Sequence, residues 1–231
     1  MALMNGAQLL LRARQLSDDL VEPYFVSDDE LFAYLTDSQI QLAVAGKLLR
    51  SVKSYAVVEN DRWIPLGDTP VVLEFKQAVL IDVNSRRYPL QLNGTMDSLP
   101  TIGHRSDYGL IGQSDVLKPA RPKALIFGKQ LDSFELSPIS DGAYTVEASI
   151  VTYPLNDITM AMDEPEIAAR FHIHIPIGAA LTAIQSTENE HSQSKVQGLQ
   201  AAWQRALIKV AEDSKAMHRD SGNVFFNNSY W

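Results

Sequence analysis

Apolar residues fall at Leu31, Leu35, Leu42 and Leu49, with Ala43, Ala45 and Val52 beside them, a spacing of three and four that lines one helix face. The pattern predicts a long amphipathic helix over Val26–Lys53, the most strongly specified stretch of the chain. Its start is marked three times: Ser27 is a good N-cap, Glu30 completes a capping box, and Val26 can pack on Leu31 as a hydrophobic staple. Charge follows the helix dipole, with Asp28, Asp29 and Glu30 at the opening and Lys47, Arg50 and Lys53 at the close. Taken alone, the pattern describes a core helix and says nothing of function.

Before it, Leu9, Leu10, Leu11 and Leu16 predict a short helix over about Ala7–Leu16, with Arg12 and Arg14 on its polar side and a stop near Ser17–Asp19. Pro23 breaks the pattern, because the residue preceding a proline is pushed out of the helical region, and Tyr24 and Phe25 are expected to plug the junction of the two helices. After Lys53 the period becomes two. Ser54–Glu59, a turn at Asn60-Asp61 and Arg62–Leu66 read as a β-hairpin, with Pro65 placing the second strand at an edge. Val71–Leu80 is compatible with a strand or a short helix, and Arg87–Leu92 alternates. Asn93–Pro122 is rich in Gly, Pro, Ser and Asp and reads as long loops. Ala124–Phe127, Ser133–Leu136 and Tyr144–Tyr153 then complete a largely antiparallel sheet or small sandwich.

Helical signals resume near Met162: Asp157 or Asp163 is a candidate cap, Ile167, Phe171 and Ile175 follow one face, and Pro176 and Gly178 are expected to kink the helix before Ala179–Ile184. A last helix over about Ser194–Met217 carries Val196, Leu199, Trp203, Ala206, Leu207 and Val210 on one face. Helices, then strands, then helices predict an α+β fold: an antiparallel helical bundle built from 1–53 and 163–221, with Leu35, Leu42, Leu49, Leu199, Trp203 and Leu207 in its core, interrupted by a β-rich domain over 54–162. Residues 222–231 are left as an extended C-terminal arm.

Composition narrows the function classes. Hydrophobic content of 45% in 231 residues allows a real core. A net charge of -8 argues against gripping nucleic acid through its phosphates, which needs a surplus of Lys and Arg. With Cys 0 there is no disulfide framework, thiolate metal site or cysteine nucleophile. The N-terminal residues lack a secretory leader and no segment reaches the roughly 20 apolar residues of a spanning helix, so a soluble protein made inside the cell is expected.

Motifs for chemistry are sparse. GxxxxGK[ST], HExxH and GxSxG are absent. His172 and His174 form an HxH pair that would share one face on a strand but not on a helix, and their surroundings read as helical. His104, Ser106 and Asp107 supply triad residue types without a geometry. The acidic pairs Asp18-Asp19 and Asp28-Asp29 are explained by capping and solvation. The expectation is a non-enzyme with no cofactor and no metal. The arm is the stronger lead: Val224, Phe225, Phe226, Tyr230 and Trp231 carry no charged neighbour and either fold back onto their own core or dock on a partner.

Three stretches resemble the head-to-tail adaptor (connector) proteins of tailed bacteriophages: LLLRARQLSDDLVEPYFVSDDELFAYLTDSQIQLAVAGKLL, LDSFELSPISDGAYTVEASIVTYPL and MDEPEIAARFHIHIPIGAAL. The resemblance implies a virion structural protein. Such adaptors form a homo-oligomeric ring, usually dodecameric, which docks under the portal protein, extends the DNA channel and offers a platform to the next tail or nozzle protein, serving genome retention and ejection. It also implies that genomic DNA passes without sequence-specific binding, that no membrane is involved, and that the protein is made in the host cytoplasm and resides at the head–tail interface. The portal-docking arm would be Val224, Phe225, Phe226, Tyr230 and Trp231. Two other classes compete: a β-rich ligand- or receptor-binding virion module, and a metal-assisted hydrolase using His172 and His174.

Overall fold

Asn5 and Ser27 start the first two helices by the same device. Each side chain accepts the N–H three residues on, and the Gln8 or Glu30 side chain reaches back to the cap's own N–H, so two donors that the helix leaves unpaired are satisfied. In the computed structural model, which describes residues 3–68, 70–93, 119–130, 132–186 and 193–220, α1 runs Gly6–Ser17 and α2 runs Asp28–Gly46. Val26 and Leu31, which bracket the second cap, are both buried in the same core.

The expected helix over Val26–Lys53 ends seven residues early. Lys47 takes the left-handed conformation (φ 49°), its N–H donates to Val44 O at 3.2 Å and the Leu48 N–H to Ala43 O at 3.0 Å, the pairing of a Schellman stop. Gly46 is required there for space, since Leu48 and Val210 side-chain carbons would lie 2.7 Å from an added Cβ. Arg50 and Lys53 therefore belong to the first strand and not to a helix end.

The chain divides into two compact units, Met1–Leu49 with Tyr153–Trp231, and Arg50–Thr152. In the first, α1 and α2 pack with α3 (Ile175–Ser186) and α4 (Gln193–Asp220). Leu9, Leu31, Leu35, Leu42, Ile158, Phe171 and Trp203 are buried together, and Leu49, Leu199 and Leu207 lie half-buried against them. The predicted kink at Pro176 is corrected: residues Ala169–His174 form a 3-10 helix and Pro176 sits in the first turn of α3, where its missing N–H has no intrahelical partner to lose. Asp163 closes a turn by accepting the Thr159 and Met160 N–H groups, both at 2.8 Å, and caps no helix. Gly178 lets α3 pack tightly on its neighbours, with Ser38 Oγ 2.6 Å and Trp203 Cη2 2.9 Å from the place of a Cβ.

The second unit overturns the expected fold class. It is a seven-stranded mixed sheet, nearly closed into a barrel, and it dominates an α+β structure with four α-helices among the described residues; it is not a small sheet or sandwich interrupting a helical bundle. The strands are β1 (Arg50–Val57), β2 (Trp63–Pro65), β3 (Val72–Asp82), β4 (Arg87–Asn93), β5 (Ala124–Ile126), β6 (Ser133–Ser137) and β7 (Tyr144–Thr152), in the order β1-β7-β3-β4-β5-β6-β2. All pairs are antiparallel except β4 with β5, which makes the sheet mixed.

The predicted hairpin of β1 with β2 does not form. β1 pairs with β7 and β2 with β6, so the two sequence neighbours end at opposite edges of the order. The eight-residue β1 finds a full-length partner in the nine-residue β7, which the three-residue β2 cannot offer. Curvature then brings the edges together, and the Lys53 Nζ of β1 donates to the Leu66 carbonyl just beyond β2 at 2.6 Å. Two register shifts in β3, at Val72/Glu74 and Phe75/Gln77, supply some of that bend. Inside, Tyr55, Phe75 and Phe134 meet edge-on or tilted with centroids 5.0 to 6.3 Å apart.

Candidate functional site

The connection between α1 and α2 is held from beneath by charge. Arg14, expected on the polar side of α1, is 4% exposed. Its guanidinium donates to Asp19 at 2.8 Å and to the Val26 carbonyl at 3.1 Å, pairs with Asp28, and lies 3.6 Å from the centroid of the Tyr24 ring. Asp19, also 4% exposed, accepts the Phe25 N–H at 2.9 Å and the Val26 N–H at 3.2 Å besides the guanidinium. A buried carboxylate with several donors, one of them cationic, fixes the loop at both ends. Asp18 does a different job: it ends α1 in the left-handed conformation (φ 61°) and pairs with Lys195 of α4.

What this frame presents is apolar. Leu20 is 52%, Val21 79%, Tyr24 39% and Phe25 63% exposed, so Tyr24 and Phe25 do not plug the helix junction as expected. Four large apolar side chains thus face solvent on a loop clamped by a buried ion pair, so little loop entropy would remain to be lost if something covered them. Capping and solvation do not account for Asp19 and Asp28, which both pair with Arg14; the three lie close in sequence, and that proximity is the signal the sequence offers.

A second feature lies on the same unit, along the outer side of α2. Asp29, Phe32, Ala33, Thr36, Asp37, Asp157, Ile158 and Thr159 enclose a groove of about 460 Å³. Phe32 and Ile158 are buried in its floor, and the three aspartates stand exposed. The Thr36 hydroxyl fastens the far wall, accepting the Ile158 N–H at 2.9 Å and donating to the Ile158 carbonyl at 3.3 Å. Gln39 adds bonds to the Asn156 carbonyl at 3.2 Å and from the Glu166 N–H at 2.9 Å.

Of the histidine pair, His172 is engaged in the packing of the helical unit. His172 is fully buried, its Nδ1 accepts the Met4 N–H at 3.2 Å, and its Nε2 meets the Ile167 carbonyl at 2.8 Å, so both ring nitrogens are engaged within the helical unit. His174 is held below its ordinary pKa by burial first and by Lys209 second, with Asp213 opposing them. Among the described residues no group of three or more His, Cys, Asp and Glu is placed to hold a metal ion. His104, Ser106, Asp107 and most of the Asn93–Pro122 segment lie outside the described residues, as do Val224, Phe225, Phe226, Tyr230 and Trp231. No described helix is long and apolar enough to cross a membrane.

In the barrel unit, Glu135 is 2% exposed and clamped by Arg62 at 2.7 Å and by Lys129. Burial alone would raise its pKa; the hydrogen bonds and charges of Lys129 and Arg62 outweigh it and hold the carboxyl below its ordinary value. Tyr55 is the opposite case, a buried phenol with no hydrogen-bond partner among the described residues, pushed up to about 12 by burial. No protein-family model matches the chain, and no curated protein matches it.

Proposed function

We propose that the protein is a virion structural component, a head-to-tail adaptor that assembles as a ring under the portal protein, extends the DNA channel and carries the next tail or nozzle protein. The observation that carries the reading is the apolar loop Leu20–Phe25, pinned by Arg14 and Asp19, because large apolar side chains held exposed on a fixed loop suit contact with another protein. The three stretches resembling connectors support it, and one of them contains this loop. The reading assigns no bond-making step. A subunit of net charge -8 suits passage of DNA through a lumen better than its retention, since neutralising phosphates needs clustered cations.

The test is binding of the full chain to its portal protein, followed by sedimentation and electron microscopy, beside a chain trimmed of 222–231. The reading expects a stable complex with the full chain and at least a tenfold weaker one with the trimmed chain at unchanged helix content. Undiminished docking by the trimmed chain would refute the arm assignment, and no docking by either would refute the adaptor reading.

A further inference from the structure

The groove along α2 has a complement on the same chain. On α4, Trp203, Ala206 and Val210 face the core, and Arg205, Ile208 and Lys209 are exposed, with Ile208 at 58%. Positions 205, 208 and 209 share one helix face, so the stripe is an isoleucine flanked by two cations about 6 Å apart along the axis. The groove is the converse: an apolar floor of Phe32 and Ile158 under Asp29, Asp37 and Asp157. Asp29 and Asp37 lie eight residues apart on α2, about 12 Å, a span that brackets the stripe's two charges. Among the described residues none of the three aspartates makes an ion pair with Lys or Arg.

We infer that the α4 stripe of one copy seats in the α2 groove of a second copy, Ile208 over Phe32 and Ile158, with Arg205 and Lys209 against Asp29, Asp37 and Asp157. The groove is already formed, because Thr36 and Gln39 hold the 156–159 segment beside α2, so docking requires little rearrangement. Donor and acceptor surfaces are different patches, so the contact is heterologous. It propagates from copy to copy and closes into a ring when the rotation per step allows. This deepens the adaptor reading and rests on it for the ring; the contact itself stands on charge complementarity and on an exposed isoleucine facing an apolar floor. It weakens with salt, since the paired groups are at the surface.

The experiment mixes nitrogen-15-labelled and unlabelled full-length protein at low salt, links carboxylates to amines with a carbodiimide, and maps the linked peptides by mass spectrometry. Links joining Lys209 of one isotope to Asp29, Asp37 or Asp157 of the other are expected. Arg205→Glu should cut their yield on the order of tenfold. In sedimentation, Asp29→Lys with Asp37→Lys should abolish association, and so should Arg205→Glu with Lys209→Glu, whereas all four changes in one chain should recover it. These positions are exposed, and unchanged helix content by circular dichroism checks each fold; Asp29→Lys lowers the melting temperature somewhat because it reverses a charge in the first turn of α2. Inter-copy links from Lys209 to other carboxylates only, links to none, or association indifferent to either reversal would overturn the contact. Rings formed on the portal without the Lys209 links would overturn this contact and leave the adaptor reading standing. The links without any portal binding would do the reverse.

Discussion

Arg14 and Asp19 form an ion pair of 2.8 Å with both side chains no more than 5% exposed, and the loop between α1 and α2 hangs from it. Removing Arg14 leaves the Asp19 carboxylate buried without its cation, which costs about 3–5 kcal/mol in such settings. Arg14→Met is therefore expected to destabilise the helical unit by that order, measured by urea unfolding. Arg14→Met with Asp19→Leu together should cost less than the sum of the single changes. Chymotryptic cleavage at Tyr24 or Phe25 should accelerate in Arg14→Met under native conditions, before global unfolding.

Ser27 is a separate case because its work is local. Ser27→Ala removes the acceptor for the Glu30 N–H and is expected to cost about 1 kcal/mol, with m unchanged. The Ser27 backbone N–H and hydroxyl also hold the Glu30 carboxyl below its ordinary 4.5.

Glu135 sets part of the acid limb. Its folded-state pKa is depressed, so the stability it contributes is fully present above the unfolded value, near 4.5, and is lost as pH falls through the folded value. Stability measured from pH 6 downward should decline below about 4.5, and Glu135→Gln should flatten that decline while lowering stability at pH 6. A steeper decline in the variant would show that the depression has been misassigned.

Two packing substitutions have opposite expected signs. Gly178→Ala places a carbon 2.6 Å from Ser38 Oγ and should destabilise by about 1–3 kcal/mol. Tyr55→Phe removes a buried hydroxyl that no described residue satisfies and should be neutral or stabilising by about 1 kcal/mol, read as a melting-temperature shift.

The local chemistry was legible in the sequence where a residue acts on its near neighbours. Ser27 and Glu30 are three apart and their geometry follows from spacing alone. The stop of α2 was missed because Lys47, a good helix former, adopts the left-handed conformation here, and the apolar residues Leu49 and Val52 continue the helical period by coincidence across the start of β1. Strand positions were readable from alternation, but their partners were not: β1 and β2 are separated by five residues and lie at opposite edges, a choice made by strand length and barrel curvature. The apolar loop is not legible because Tyr24 and Phe25 have core-residue chemistry, and nothing local in the sequence shows that the Arg14 guanidinium packs against the Tyr24 ring. The α2 groove needed a contact between Thr36 and Ile158, more than a hundred residues apart, which no periodicity encodes.

The adaptor reading is tested most directly by imaging full-length protein mixed with its portal protein. Class averages should show a closed ring of copies, coaxial with the portal and matching its symmetry, with a continuous central channel. Portal rings without added density, or single copies attached at scattered positions, would contradict it.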